Sequence, residues 1–418
     1  MEKYKRIYDK KWNFEDGSMK ELVHGLHPYP AMMMPRIARS IFEEFSISKN
    51  SSFLDPYVGS GTTLVEAQNY GIRELVGIDL NPLAISISKA KLSVYDCKTL
   101  KKLIDSFENY LSKTPKNVMD DPDFYIPDFP IMDHWFKKQT VNDLAIIRKF
   151  VFSVTDEPYS NFFKVCFSET VRDVSMTRNG EFKLYRIKKS KIEEYNPDAI
   201  LKFKEVINRN YEYIKNYAQH RHNSSIALLS ESTENALQSS NYKNYFDVVI
   251  TSPPYGDSHT TVAYGQFSRL SNEWLGIEDA GKIDRKLLGG SKQNNYKPFG
   301  ICELDNAIKQ IIEADAKING DRYKSVVSFY EDYKKSIDAV AESVKHGGLV
   351  VYVLGNRRVR NVELPLDVIT CKMFKKHGFV HEVTYVRDII NKRMPTKASP
   401  DVQTMTNEFI VIMRRGYK

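Results

Sequence analysis

Cysteine is scarce. The four in this 418-residue chain, Cys97, Cys166, Cys302 and Cys371, stand far apart and never form a C-x-x-C pair. Neither a zinc knuckle nor a disulfide framework is supported, and no metal is expected. No run of about 18 apolar residues occurs, and Met1-Glu2-Lys3-Tyr4-Lys5-Arg6 leads into polar sequence without a signal-peptide core. Cytoplasm rather than membrane is the expected location. Charge of one sign does not dominate either: 61 Lys and Arg oppose 53 Asp and Glu, a net of +8. That balance permits an anionic partner such as nucleic acid without requiring one. Internal repeats and low-complexity tracts are missing. With 42% hydrophobic residues the composition is that of a globular protein. A single core rarely grows beyond about 250–300 residues, so the length implies two units or one domain with large insertions.

What is present is a rhythm of short apolar runs: Ser52-Phe53-Leu54-Asp55, Glu74 to Asp79, Ile226 to Leu229, Asp247 to Ile250 and Leu349 to Leu354. Turn or polar residues bound each, and helical patterns follow several, which predicts βαβ units and a parallel sheet. Val380 to Val386 and Glu408 to Met413 read as two further strands. The expected fold is α/β, a doubly wound seven-stranded sheet. Between about Thr99 and His222 the period changes to helical (Leu103, Phe107, Leu111; Leu144, Ile147, Val151, Val154; Phe162 to Phe167), so residues 98–222 read as a helical insertion. Residues 277–323 read as a polar loop insertion with one helix near Leu304 to Ala316.

The first chemical signal is Asp55-Pro56-Tyr57-Val58-Gly59-Ser60-Gly61-Thr62-Thr63. A strand ends at Asp55, small residues let the backbone approach a ligand, and a helix begins near Thr62. A Walker A loop would need a Gly-Lys-Ser/Thr that is missing here, and the full G-x-G-x-x-G is also absent. Asp79 ends the next strand 79 − 61 = 18 positions after Gly61, close to the roughly 20-residue spacing at which an acid meets ribose hydroxyls. A ribose diol fits an adenine dinucleotide and S-adenosylmethionine equally well.

The second signal is Thr251-Ser252-Pro253-Pro254-Tyr255-Gly256, where a buried strand runs into two prolines that fix a rigid turn at its carboxyl end. Ser252 Oγ and the Pro253 carbonyl can accept the hydrogens of an exocyclic amine, and Tyr255 offers a face for a base lifted from its stack. Holding such an amine with its lone pair toward an electrophile is most of what methyl transfer from a sulfonium requires.

The pair Asp-Pro-Tyr-Val-Gly-Ser-Gly-Thr-Thr (55–63) and Thr-Ser-Pro-Pro-Tyr (251–255) resembles the cofactor and catalytic motifs of DNA amino-methyltransferases, specifically the cytosine-N4 branch with its Ser-Pro-Pro-Tyr signature. The resemblance covers most of residues 24–97 and 223–415. It implies a seven-stranded Rossmann-like methyltransferase fold, S-adenosyl-L-methionine as donor, base flipping, double-stranded DNA as substrate and a bacterial or archaeal restriction-modification setting in which a cognate endonuclease could act separately. His27-Pro28-Tyr29-Pro30-Ala31 is similar to the amino-terminal cofactor motif, and Glu231 stands where an acid approaches the adenine. Cofactor binding is therefore expected of His27, Tyr29, Asp55, Tyr57, Gly59, Gly61, Thr62, Asp79, Leu80 and Glu231, and the catalytic turn is Ser252, Pro253, Pro254 and Tyr255. Residues 1–97 then form the cofactor half and residues 223–418 the catalytic half.

Because the cofactor motif comes first and no separate recognition domain follows the last strand, target reading is expected from the insertions. Arg172, Arg178, Lys188 and Lys189 could follow a phosphate backbone. DNA contact is likewise expected of His259, Arg357, Arg358, Lys392 and Arg393. Carbon-5 methylation is excluded by residue type, because it needs a Pro-Cys nucleophile and none of the four Cys follows a Pro. Adenine-N6 methylation, an RNA or protein-glutamine amine substrate, and a non-catalytic nucleic-acid-binding relic are the alternatives.

Overall fold

The computed structural model describes residues 4–178, 180–238, 242–257, 261–292, 296–389 and 405–417. Eight strands form one sheet: β1 (Arg6–Tyr8), β2 (Ser52–Asp55), β3 (Glu74–Ile78), β4 (Ser225–Leu229), β5 (Phe246–Thr251), β6 (Val344–Leu354), β9 (Phe379–Asp388) and β10 (Asn407–Arg415). A separate hairpin pairs β7 (Arg357–Val359) with β8 (Val362–Leu364). The sheet order is β1-β9-β10-β6-β5-β2-β3-β4. All neighbours are parallel except β10, which runs antiparallel to both β6 and β9. All seven expected strands form, in a sheet of the methyltransferase type.

Strand alternation divides the core in two. Phe53, Val248, Ile250, Leu349, Val351 and Val353 join an apolar cluster on one face. Leu54, Val249, Val350, Tyr352 and Leu354 join the cluster on the other, against the helices Arg322–Ser343 and Leu366–Lys375. Burial on both faces is why these strands read as unbroken apolar runs.

The sequence reading missed β1. Three residues carry no alternation signal, and an ion pair anchors the strand instead: Arg6 grips the buried Asp367 carboxylate with Nη2–Oδ2 at 2.7 Å.

Between β3 and β4 the chain forms the helices Cys97–Lys113, Lys138–Ser153, Tyr159–Asp173 and Ala199–Tyr217. Asp96 caps the first by accepting from the Lys98 and Thr99 amides. Phe162, Phe163, Val165 and Phe167 of Tyr159–Asp173 belong to the same cluster as Phe53 and Val248, and that helix packs on Pro82–Leu92 and Tyr264–Leu275. The insertion thus shares its core with the sheet. Within 277–323 the expected helix is Cys302–Ala316, but two one-turn helices, Ala280–Lys282 and Ile283–Lys286, precede it. Among the described residues no helix is long and apolar enough to cross a membrane.

Candidate active site

The carboxyl ends of β2, β3 and β5 meet where the strand order reverses, β2 having β3 on one side and β5 on the other. Open α/β sheets bind ligands at such a switch point. Asp55 closes β2. Its carboxylate accepts from the Tyr57 amide at 3.0 Å and Thr251 Oγ1 at 2.6 Å, and also from Thr63 Oγ1. Burial pushes its carboxyl up to about 6, and the two threonine hydroxyls and the Tyr57 amide pull the other way. Asp79, just past β3, accepts from the Gly59 amide at 3.0 Å and the Asn81 amide at 2.8 Å. Its carboxyl too is pushed up to about 6, first by burial.

Between these acids the loop turns sharply. Gly59 has φ +50° and Gly61 φ +81°, and a Cβ on Gly61 would sit 2.9 Å from Ser88 Oγ, which itself donates to the Gly59 carbonyl at 2.8 Å. Side chains are therefore excluded from the Gly61 position by strain and by contact.

One cavity occupies this switch point. Tyr29, Asp55, Tyr57, Gly59, Thr62, Asp79, Leu80 and Glu231 line it, all from the expected set. Gly61 and His27 do not. Gly61 shapes the turn from behind, and His27 is buried with Nε2 3.2 Å from Ser168 Oγ and its ring edge-on to Phe267 at 6.3 Å. Tyr29 is stacked on Tyr264, centroids 6.0 Å apart, and its hydroxyl accepts from Asn81 Nδ2 at 3.1 Å. Among the described residues, five carboxylates, those of Asp55, Asp79, Glu231, Glu234 and Asp332, line the cavity against one ammonium, Lys286. Those acceptors fit a ligand with hydroxyls and net positive charge, and the helix Thr62–Tyr70 begins at the same cavity, its positive end suited to a carboxylate.

A second cavity adjoins the first. Ala31, Met32, Met33, Ser252, Pro254 and Tyr264 line both, so the Ser-Pro-Pro turn is a partition between them. On the far side stand Pro253, Tyr255, Asn356, Arg358 and Glu408. Tyr255 is fixed through its hydroxyl, which lies 3.2 Å from Ser252 Oγ and donates to Glu408 Oε1 at 3.2 Å. Glu408 in turn receives Arg387 Nη1 at 2.7 Å. Burial, with Glu408 beside it, holds the phenol well above its ordinary range, so Tyr255 is neutral. Gly355 is required here, since a Cβ there would lie 2.7 Å from the Tyr255 ring.

The basic residues separate into classes. Lys188, Lys189 and Lys191 are exposed around a single 3-10 turn. Arg178 is half-exposed and donates to the Arg186 carbonyl at 3.1 Å; Arg358 is half-exposed and pairs with Glu363 at 3.3 Å.

Arg357 differs: its side chain is 13% exposed and pairs with the buried Asp257 at 3.1 Å. Arg172, expected along a phosphate backbone, is buried, with its guanidinium donating to the carbonyls of Phe267 at 3.0 Å and Glu181 at 2.7 Å. Burial draws it down to about 10. It is a structural residue, because buried carbonyls already take up its donors. His259, Lys392 and Arg393 lie outside the described residues.

Tyr264, in the 259–266 segment that follows the Ser-Pro-Pro turn and reads in the sequence as pocket wall or DNA contact, lines both cavities. Sequence reasoning missed Met32, Met33, Lys286, Leu287, Glu408 and Arg387, which come from distant segments without a local motif.

Comparison with known proteins places this geometry. Residues 73–274 match the model of the Eco57I restriction-modification methylase family. The type II methyltransferase M.MvaI of Kocuria varians is 35% identical over 426 aligned positions, covering 96% of this chain and 93% of its own length. The type II methyltransferase M.BsoBI of Geobacillus stearothermophilus is 22% identical, covering 87% of this chain and 80% of its own. Among solved structures, the rRNA methyltransferase aviRa of Streptomyces viridochromogenes aligns over 94% of this chain and 90% of its own at 10% identity, with a TM-score of 0.30, too loose a superposition to weigh. The end-to-end similarity to M.MvaI shows the family: the chain belongs to the type II DNA methyltransferases and uses S-adenosyl-L-methionine.

Proposed function

We propose that the chain transfers a methyl group to the exocyclic N4 amine of a cytosine drawn out of double-stranded DNA. The observation that carries the reading is the shared partition: Ser252 and Pro254 face both the cofactor cavity and the second cavity, so a base in one would meet a donor in the other. S-adenosyl-L-methionine supplies an electrophilic methyl group on a sulfonium. Asp79 and Glu231 would take its ribose and adenine side, while Asp55, Tyr57, Gly59 and Thr62 shape the remainder, with Tyr29 and Leu80 as walls.

The chain's own work is orientation. Ser252 Oγ and the Pro253 carbonyl accept the two amine hydrogens, which leaves the nitrogen lone pair directed through the partition. Tyr255 takes the base on its face, held at that angle by Glu408 and Arg387. Transfer is direct, without a covalent enzyme intermediate, and the methylated amine loses its proton to water. Serine at position 252 supports cytosine, because the adenine branch more often carries Asp or Asn there.

The insertion 98–222 is assigned to DNA, through Arg178, Lys188 and Lys189, with Arg358 at the second cavity; Arg357 supports the turn through Asp257. His259, Lys392 and Arg393, outside the described residues, are retained as candidate contacts. Protection of host DNA against a separate cognate endonuclease is the setting that this activity fits. Expressing the protein in a host without other methylases, and mapping modified bases at single-base resolution, tests the reading. N4-methylcytosine in a fixed short sequence is expected; N6-methyladenine at every modified site would replace the cytosine assignment, and unmodified DNA would overturn both.

A further inference from the structure

The helical insertion sends a hairpin toward the second cavity. Thr177 and Arg186 form its antiparallel bridge, closed by the Ile187 amide donating to the Met176 carbonyl at 2.9 Å and the Arg178 amide to the Tyr185 carbonyl at 2.8 Å. Two outside side chains tie the main chain down near the tip. The buried Arg172 guanidinium donates to the Glu181 carbonyl at 2.7 Å, and Gln266 Oε1 accepts from the Leu184 amide at 3.3 Å. Between these fixed points stands Phe182, 41% exposed, on the wall of the second cavity that the Ser252–Tyr255 turn also lines. A scattered exposed Phe needs no explanation. A Phe whose backbone is braced on both sides, while its ring is left partly uncovered on the wall of a cavity, is positioned to meet something.

We propose that Phe182 is a wedge that enters the duplex beside the target base and holds the vacated space open while that base occupies the second cavity. The proposal rests on the DNA reading above and names the element that performs the extrusion. Charge identifies the occupant as duplex DNA. Residues 177–192 carry six cations, Arg178, Lys183, Arg186, Lys188, Lys189 and Lys191, against Glu181 alone. Such a surface suits a polymer with a phosphate charge every ~1.7 Å along its axis. Apolar side chains entering between base steps are a recurrent way to hold an unstacked duplex open. The ring would replace the stacking that neighbours lose, and a mispaired base, already cheap to extrude, would need it least.

The test compares wild-type, Phe182→Ala and Phe182→Leu proteins in single-turnover methylation at saturating cofactor, on duplexes with the target paired or opposite an abasic site. For the paired duplex, Phe182→Ala should lose roughly five- to hundredfold in rate, the worth of one aromatic–base stack, with Phe182→Leu between. Opposite an abasic site all three should run at the same rate. Cofactor affinity by calorimetry should be unchanged, as a partly exposed ring at a braced hairpin predicts. Equal losses on both duplexes, which a base-clamping or purely structural role would give, overturn the wedge, as does an unchanged rate on the paired duplex. Failure of the wild type to methylate either duplex would instead refute the DNA reading itself.

Discussion

Arg357 offers the sharpest test of how burial reassigns a charge. In the sequence it follows the fifth parallel strand at the ligand-binding edge, where a cation reads naturally as a phosphate contact. In the fold it lines the second cavity with its side chain only 13% exposed, and it pairs with Asp257, whose side chain is 2% exposed, three positions beyond the second proline of the Ser-Pro-Pro turn. Its guanidinium also approaches the Phe329 ring, 5.8 Å from the centroid. Gly256 makes the approach possible, since a Cβ there would lie 2.3 Å from the guanidinium.

Removing one partner of a buried pair typically costs about 3–5 kcal/mol, because the remaining charge is left desolvated. Asp257 has further interactions and Arg357 keeps a little exposure, so Arg357→Met should cost about 3 kcal/mol, the lower end of that range. An exposed phosphate contact would behave oppositely: stability unchanged, and a DNA salt slope shallower by about one. Urea unfolding and salt titration of DNA binding, on the same variant, separate the two. Asp257→Asn combined with Arg357→Met should lose less than the sum of the single changes, since the two are in direct contact. An unfolding midpoint equal to wild type, together with a shallower salt slope, would refute the structural assignment.

Further outcomes follow from the two cavities. Asp79→Ala should weaken cofactor binding by calorimetry while the protein remains folded; an unchanged dissociation constant would remove Asp79 from the ribose contact. The carboxyls of Asp55 and Asp79 both rise from 3.8 to about 6, so folding favours their protonated forms. That stabilisation is complete below about pH 4 and lost as pH rises through about 6. A cationic cofactor favours the ionised forms instead, so its affinity should increase from pH 5 to 7 with net proton release, and a pH-independent affinity would contradict the facing carboxylates. Tyr255→Ala should cut turnover by roughly five- to hundredfold, the worth of a base stack, leaving cofactor affinity intact; Glu408→Gln, which keeps an acceptor for the hydroxyl but loses Arg387, should fall between it and wild type. Neutralising Lys188, Lys189 and Lys191 together should reduce the DNA salt slope, by up to about three for three phosphate contacts.

The sheet was legible because of where its strands lie. β2, β3, β5 and β6 are buried on both faces along their central residues, so those residues read as apolar runs with polar or turn residues at the ends. Those ends carry Asp55, Asp79 and Ser252, and a strand that stops at a ligand must do so with short, chemically specific residues. Long-range partners leave no such trace. Arg387 and Glu408 are 21 positions apart and meet only because β9 and β10 pair antiparallel, with Arg387 opposite Glu408 in register. A sequence likewise gives charge but not burial or partner, as two arginines show. Arg172 has two carbonyls waiting for it, and Arg357 a carboxylate.

This difference separates what the two halves of the site require. A donor of fixed shape can be held by one strand–loop–helix segment and the acid on the next strand, which is why that half reads locally. On the proposed reading the second cavity must admit a base still attached to a duplex. Its walls therefore come from the Ser-Pro-Pro turn, the Ala31–Met33 segment, Ile389 just past β9, the start of β10, the β7–β8 hairpin and the insertion, through Phe182. Their only shared sequence property is that the fold delivers them to one edge of the sheet. Residues that select among DNA sequences should accordingly lie in those segments, while substitutions confined to residues 55–63 should alter cofactor affinity without altering which site is methylated.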